Sequence, residues 1–520
     1  MPPTLLLLPL ALCAIYLLYK HRTSPLHTLP GPFYTSYTSL LLKWHYLRGR
    51  RMHYVHRLHA RYGPIVRVSP SEISVSDPAD VKTVHRIGTP FLKDETFYKR
   101  ITRPDIENLF NTSDPGFHSQ RRKLFSGQMS QFELHRPEIE SLITARVDLA
   151  ISRMTLELKD TRKIDILQWF VFMATDIIGE LCFGDSFRML ELGRGNQYYK
   201  DLTAVARLEG VKVVFPSLLG LVCRVWGWRI ALYVPVVSEA VAAGERLGRY
   251  AVESVGRYRA LLEDSQSEGK EPMKKTFFTK LFQLAESTSP STTTKSTSKL
   301  TTDDDEHQET DTRLPDKSIT DEAITFIVAG SDTTATTLTY LIYTLLQPSQ
   351  DSTLHSLLAE LSILPQKYTD KDLIPLQTLN NIILETLRLY SGVPSALPRT
   401  SATAQTLSGY TIPGGITVSS QTYTLHRNAD IFPSPEIFNP NRWINPTRDM
   451  KESFMPFGSG TRTCLGIHLA KMEVRLAAAR FFLTFKDKLR VHEDMENGDM
   501  DMVAWFLGGI KAGKCLVRRK

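Results

Sequence analysis

One cysteine near the C-terminal end carries the clearest chemistry in this sequence. Cys464 stands in Phe457-Gly458-Ser459-Gly460-Thr461-Arg462-Thr463-Cys464-Leu465-Gly466. Glycines at this density let a backbone turn tightly and lie close against a large flat object. Backbone N–H groups in such a turn can point at the sulfur and hold it as thiolate, the form that binds metal. The chain reads as a helix from Ile467 onward, so the sulfur sits at a helix N-terminus, where negative charge is favoured. Arg462 is placed to reach a carboxylate on the same object. A lone cysteine is ordinarily a small buried hydrophobe; these neighbours argue instead for a metal ligand.

A second group lies on a long helix that Ser318-Ile-Thr-Asp321 opens in the manner of a capping box. It reads Ala329-Gly330-Ser331-Asp332-Thr333-Thr334. The small residues leave room for a ligand against the backbone. A mid-helix threonine can bond back to a preceding carbonyl and bend the helix, and an acid beside an alcohol offers a proton route. Further on, Glu385 and Arg388 share one face of an apolar helix. Most such pairs are surface salt bridges worth well under about 1 kcal/mol, but the apolar setting argues that this one is buried.

The cysteine stretch resembles the haem-binding loop of the cytochrome P450 monooxygenases, Phe-x-x-Gly-x-Arg-x-Cys-x-Gly, with Phe457, Gly460, Arg462, Cys464 and Gly466 in its fixed places. Ala329 to Thr334 is similar to the family's dioxygen-handling helix motif, and Glu385-Thr-Leu-Arg388 to its Glu-x-x-Arg. The motifs occur in the family's order, and the likeness runs over almost the whole chain. The resemblance implies a mainly α fold with a small β-rich region and haem b between two core helices. Cys464 would be the proximal thiolate on iron, in a loop shaped by Phe457, Gly458 and Gly466. A thiolate pushes electron density onto iron and favours O–O cleavage.

By the same resemblance, Thr333 hydrogen-bonds dioxygen at the cofactor and Asp332 relays protons. Arg122, Arg399, His426 and Arg462 would meet haem propionates, with His118 standing where the family carries an aromatic residue. Glu385, Arg388 and Arg442, the last in Phe438-Asn-Pro-Asn-Arg442-Trp443, would brace the cysteine loop. The short tail after Cys464 has no room for a flavin domain, so electrons come from a separate partner, by resemblance NADPH–cytochrome reductase. One oxygen atom of O2 would enter an apolar small molecule. The motif wording is similar to fungal members acting in secondary metabolism, with terpenoid or polyketide-like substrates. A haem-thiolate isomerase or dehydratase needing no external electrons is the alternative. Pocket residues are expected around Phe91 to Phe110, at Phe326, at Pro394 to Leu397 and at Val503 to Phe506.

The elements that must position these groups fill an ordinary folded composition. Of 520 residues, 42% are hydrophobic and 23% charged. The five cysteines form no even framework and no CxxC pair, which excludes a disulfide-stapled secreted protein. A net charge of +8 lacks any basic, aromatic-interleaved motif. An anionic membrane surface or an acidic redox partner explains it better than nucleic acid.

Thr4 to Tyr19 is an uncharged apolar run followed by Lys20, His21 and Arg22. It spans roughly 24 Å, against an average hydrocarbon core of ~30 Å. A cleaved signal peptide competes, but its charges would lie on the other side. We read residues 1–22 as a single N-terminal anchor. The basic flank keeps the rest cytosolic, and the family's microsomal members suggest the endoplasmic reticulum membrane. Residues 23–36, holding Leu29-Pro-Gly-Pro32, read as a rigid hinge, and 37–520 as the catalytic domain.

Within that domain, Lys43 to Tyr62 is helical, with His53, His56 and His59 on an amphipathic surface rather than on zinc. Ile65–Val68 and Glu72–Val75 form a hairpin, and Ile164 to Gly184 is a buried core helix. Val211 to Val237 is either more core or a membrane-dipping entrance. The Ser/Thr/Lys and acidic tract at 285–316 is a disordered insertion. Gly409 to Gln421 reads as a hairpin around Pro413-Gly-Gly415. Asn111-Thr-Ser113 is a glycosylation sequon that the topology would keep unmodified.

Overall fold

The computed structural model describes residues 22–102, 107–195, 235–267, 276–282 and 316–520, together with Tyr16, Tyr19, Gln197, Lys200 and Asp201. The anchor at Thr4 to Tyr19, most of Val211 to Val237 and nearly all of the 285–316 tract lie outside the described residues, so those readings stay expectations.

The chain builds a predominantly helical body around the Ile166–Phe183 helix. Asp165 caps its start by accepting from the Leu167 N–H, and Gly184 ends it in a left-handed turn at φ 74°. A helix apolar on every side must be covered on every side. The Asp316–Leu345 helix packs along it most extensively, with Pro137–Asp160 on another flank. Among the described residues it is the helix apolar and long enough to cross a membrane, but 83% of that window is buried inside the protein. It is core.

The β-rich part is a five-stranded sheet in the order Ile65–Ser69, Glu72–Val75, Thr417–Ser419, Arg399–Thr400, Leu92–Lys93. The expected first hairpin is present, with Ile65 opposite Val75 and an irregularity between Arg67 and Ser69. The second is corrected. Gln405–Leu407 turns at Ser408-Gly409 to pair with Tyr410–Ile412, while Thr417–Ser419 joins the large sheet beside Glu72–Val75. Pro413-Gly-Gly415 therefore links two sheets. Gly414 is needed there because a Cβ would lie 2.2 Å from the Ala402 carbonyl oxygen.

The stretch expected to be a hinge is fixed to the body from Leu26 onward. Leu26 and Leu29 are buried. The buried Arg67 guanidinium donates to the carbonyls of Leu26 at 2.7 Å and Leu29 at 3.3 Å, and to Thr35 Oγ1 at 3.1 Å. Gly31 passes so close to Arg67 that a Cβ would stand 2.7 Å from its carbonyl oxygen.

Three further readings change. The long helix begins at Asp316, so Ser318 is inside it and its hydroxyl accepts from Arg121 instead of capping. The Arg51–Tyr62 helix is less a surface than expected: His59 is buried between Gly63 O and Ser74 Oγ, and His53 bonds the Met502 carbonyl. No metal-holding group of side chains occurs among the described residues. Asn111, read only as a sequon, is a fully buried structural residue: its Oδ1 accepts from the Asn108 N–H and its Nδ2 donates to Thr102 Oγ1.

Candidate active site

The loop before Cys464 is held by its own backbone and by one close approach. Cys464 N–H donates to Phe457 O at 2.8 Å, and Thr463 N–H to Gly460 O at 3.2 Å. Gly460 has φ +66°, and a Cβ there would sit 1.9 Å from the His85 carbonyl oxygen. Contact with the end of the Pro78–His85 helix is by itself enough to require glycine here. Gly458, at φ +72°, turns the loop.

Cys464 and Thr333 line one cavity. Phe457, Gly458, Arg462 and Gly466 line it beside the sulfur, and Ala329, Gly330 and Thr334 beside the threonine. The sulfur is open to this space, yet protein encloses it. Burial pushes the thiol up, while the Gly466 N–H and Arg122 pull it down. Thr333 Oγ1 donates back to Ala329 O at 2.9 Å, the bond expected of a mid-helix threonine. Gly330 does more than leave room: a Cβ there would lie 3.0 Å from Ile178 Cγ1 of the core helix.

Asp332 is off the cavity wall, as one helical step of about 100° from Thr333 requires. Its surface is open, but the surrounding protein pushes its carboxyl up to about 6.

Cations cluster at the cavity's edge. Arg122 Nη1 holds the Thr463 carbonyl at 2.9 Å, next to the cysteine. Arg399 Nη1 donates to Tyr98 Oη and Pro398 O, each at 2.9 Å. Arg462 Nη1 is buried with no hydrogen-bond partner. His118 lines the same edge, and burial, then Arg462, Arg122 and Lys93, push it down to about 3, so it is neutral. Lys93, within the expected Phe91 to Phe110 segment, completes this edge, although a lysine within Phe91-Leu-Lys-Asp gives no sign of a buried charge. Of the expected pocket segments, Tyr98, Leu109, Phe110, Phe326, Leu397 and Phe506 reach the wall.

His426 is a correction. It is fully buried away from the cavity wall, among the residues that brace the loop. Its Nδ1 lies 3.1 Å from Arg388 O and its Nε2 accepts the Met455 N–H at 3.0 Å. Those partners assign the proton to Nδ1, and burial pushes the ring down to about 3. The brace itself is assembled as expected. Arg388 grips both oxygens of Glu385 at 2.9 and 2.8 Å, and Arg442 Nε adds a bond at 3.0 Å. Trp443 Nε1 and the Asn439 N–H, each at 2.9 Å, also donate to this carboxylate. Sequence spacing gave no hint of those last two donors.

Glu473, also missed, lines the cavity from the Ile467–Phe485 helix. Its Oε2 has no hydrogen-bond partner, and burial pushes its carboxyl up to about 8 against a lowering bond from Thr334. The folded state thus keeps a proton that the unfolded chain releases near pH 4.5. Stability from this group is full below that pH and is lost as pH rises towards 8. Glu473→Gln is expected to flatten that loss, raising stability at pH 8 by about 1–3 kcal/mol relative to the parent. Urea unfolding of both proteins at pH 5 and pH 8 checks it.

An open sulfur, an alcohol on the same cavity's wall, and cations lining it with an unpartnered guanidinium nitrogen fit a flat, metal-bearing macrocycle with carboxylates. The chain belongs to the cytochrome P450 family, whose sequence model matches residues 30–508. It is 40% identical to the cytochrome P450 monooxygenase tazI of Aspergillus terreus, over 98% of this chain and 97% of that protein. It is 34% identical to azaI of Aspergillus niger (84% and 89%). With the tryprostatin B 6-hydroxylase of Aspergillus fumigatus it shares 29% identity (93% and 79%). The protein is a haem-iron monooxygenase, an enzyme that uses O2, an organic substrate and electrons from a redox partner.

Proposed function

We propose that this monooxygenase performs a tailoring step in fungal secondary metabolism, oxidising an apolar terpenoid or polyketide-like scaffold with one atom of O2. The cofactor is haem b and the electrons come from NADPH–cytochrome reductase. The enzyme works from the cytosolic face of the endoplasmic reticulum membrane, held by the apolar run at Thr4 to Tyr19. What carries this reading is that Cys464 and Thr333 line one cavity whose wall is otherwise largely aromatic and aliphatic.

When bound, the haem supplies activation of O2. The chain's own residues do the rest. Cys464 would hold the iron as thiolate, with the Gly466 N–H and Arg122 favouring the charged sulfur. Arg462 and Arg399 hold carboxylates at the rim. Thr333 releases its bond to Ala329 O and offers its hydroxyl into the cavity. Asp332, poised near pH 6, takes up protons from outside the wall and feeds them along the helix. Phe326, Leu397 and Phe506 exclude water from the reacting face.

Thr333→Ala is expected to keep NADPH consumption while product per NADPH falls about tenfold or more, with hydrogen peroxide released instead. Stoichiometric measurement of NADPH, peroxide and product tests this. Equal coupling in parent and variant would remove Thr333 from the mechanism. Comparing metabolites of the producing fungus with and without the gene identifies the substrate. A lost product one oxygen heavier than the accumulating precursor supports this reading, and one of equal mass supports an isomerase.

A further inference from the structure

Two adjacent acids on the Asp316–Leu345 helix, Asp321 and Glu322, are buried about three helical turns before Thr333. Neither lines the cavity, but both hold the segment that does. Asn108 Nδ2 donates to Asp321 Oδ2 at 2.5 Å and to Thr325 Oγ1 at 3.2 Å. The Leu109 N–H donates to Glu322 Oε1 at 2.8 Å. The segment is itself a tight turn. Asn108 Oδ1 accepts from the N–H groups of Phe110 and Asn111 at 3.0 and 2.9 Å, and Asn111 Oδ1 accepts from the Asn108 N–H at 2.8 Å. The turn is therefore a stiff unit, and the two acids decide where it stands on the helix. It carries Leu109 and Phe110 into the cavity wall, where Phe110 meets Tyr98 and Phe506 edge-on, with ring centres 5.6 Å apart in each case.

This is a costly way to hold a wall. Glu322 is fully buried beside Arg121, whose Nε lies 3.6 Å from Oε1. Burial pushes its carboxyl up to about 7, against the lowering effect of Arg121 and the Leu109 N–H. Apolar residues would fill the same space at less cost. What the acids add is direction: hydrogen bonds to one backbone N–H and one side-chain amide fix the position and register of the turn, which apolar contact does not.

We infer that Asp321 and Glu322 are specificity-determining positioning residues, which act through Asn108 and Leu109 to hold Leu109 and Phe110 as a shape-selective wall. Bulky molecules at the metal are then admitted only in the shape that this wall allows. The inference rests on the reading of the cavity as a haem pocket with an apolar substrate side.

The wall can be tested without the natural substrate. Imidazole and clotrimazole both bind haem iron through a ring nitrogen and shift its absorption, but only clotrimazole, with three aryl rings, is large enough to press on the wall. Both are titrated into purified holoenzyme of the parent and three variants. Asn108→Ser keeps an oxygen for the N–H groups of the turn and is too short to reach Asp321. Arg121→Met with Glu322→Leu takes the acceptor from the Leu109 N–H and leaves neither buried charge alone. Asn108→Asp with Asp321→Asn restores the bond with donor and acceptor exchanged.

The first two variants are expected to bind clotrimazole about tenfold more weakly and imidazole within about twofold of the parent. The exchanged pair should stay within about threefold of the parent for both. Parent-like clotrimazole binding by Asn108→Ser, or by the Arg121→Met, Glu322→Leu protein where Asn108→Ser does not fold, would overturn the inference. So would an exchanged pair as weak as Asn108→Ser, which would confine Asn108 to its own turn. Equal losses for the two azoles would overturn it too, since they would mean general damage around the metal. A parent protein whose absorption neither azole shifts would overturn the haem reading itself, and this inference with it.

Discussion

Cys464→Ser is expected to abolish the thiolate-type absorption band of the reduced, carbon monoxide-treated protein and to lower product formation by at least about a hundredfold. The sulfur contributes nothing to core packing: it is open to the cavity, and its neighbours are held by the Cys464 N–H to Phe457 O bond, which serine keeps. Thermal stability of the apoprotein should therefore barely change. What is lost is electron donation to the iron, which acts only at the reacting centre and so lowers turnover with little effect on substrate affinity. The contrast is with Cys182 and Cys515, which are buried and whose thiols burial pushes upward; they are ordinary small hydrophobes. Substituting either by serine should cost stability and leave the absorption band in place. A Cys464→Ser protein with the parent's band would remove the cysteine from the metal.

The reactive centre was legible because its chemistry is local in sequence. Glycine, arginine and cysteine spacing within one loop, and small residue, acid and alcohol within one helical turn, carry their geometry with them. The Glu385–Arg388 pair was legible for the same reason. What failed depended on the approach of distant segments. Gly460 reads as a glycine making way for a ligand until the His85 carbonyl is seen beneath it. Pro413-Gly-Gly415 has every residue of a hairpin turn, but the partner of Thr417–Ser419 lies some 340 residues away at Glu72–Val75, and no local propensity encodes that. Leu29-Pro-Gly-Pro is stiff enough for a hinge, and only the Arg67 guanidinium reveals that it is bound down. Glu473, and the burial of the Lys93 amine within an expected pocket segment, were invisible because a charged residue in a short apolar context is usually a surface residue; burial around a cofactor cavity is decided by the whole fold.

Glu385→Gln is the stability counterpart to the cysteine experiment, and its expected effect is loss of a large share of the folding free energy. The carboxylate is fully buried and accepts from Arg388 Nε and Nη2, Arg442 Nε, Trp443 Nε1 and the Asn439 N–H. Glutamine keeps the shape but removes the charge and turns one acceptor into a donor that faces these donors. The buried Arg388 guanidinium is then left uncompensated, a change that typically costs about 3–5 kcal/mol. Whole domains have only about 5–15 kcal/mol in hand. The damage has a defined path to the active site. Arg388 Nη1 holds the His426 carbonyl at 2.8 Å, His426 Nε2 holds the Met455 N–H, and Met455 leads into the loop whose Phe457 carbonyl bonds Cys464 N–H. Arg442→Lys is the graded control. It keeps a cation at the rim and loses the bonds to Pro433 O, Ser434 O and Ile437 O, so a loss of about 1–2 kcal/mol is expected. Urea unfolding midpoints and haem content per protein should fall in the order parent, Arg442→Lys, Glu385→Gln. A Glu385→Gln protein with the parent's midpoint and full haem would mean that this network merely fills space, and that the cysteine loop is held by its own turn and by Gly460 against His85.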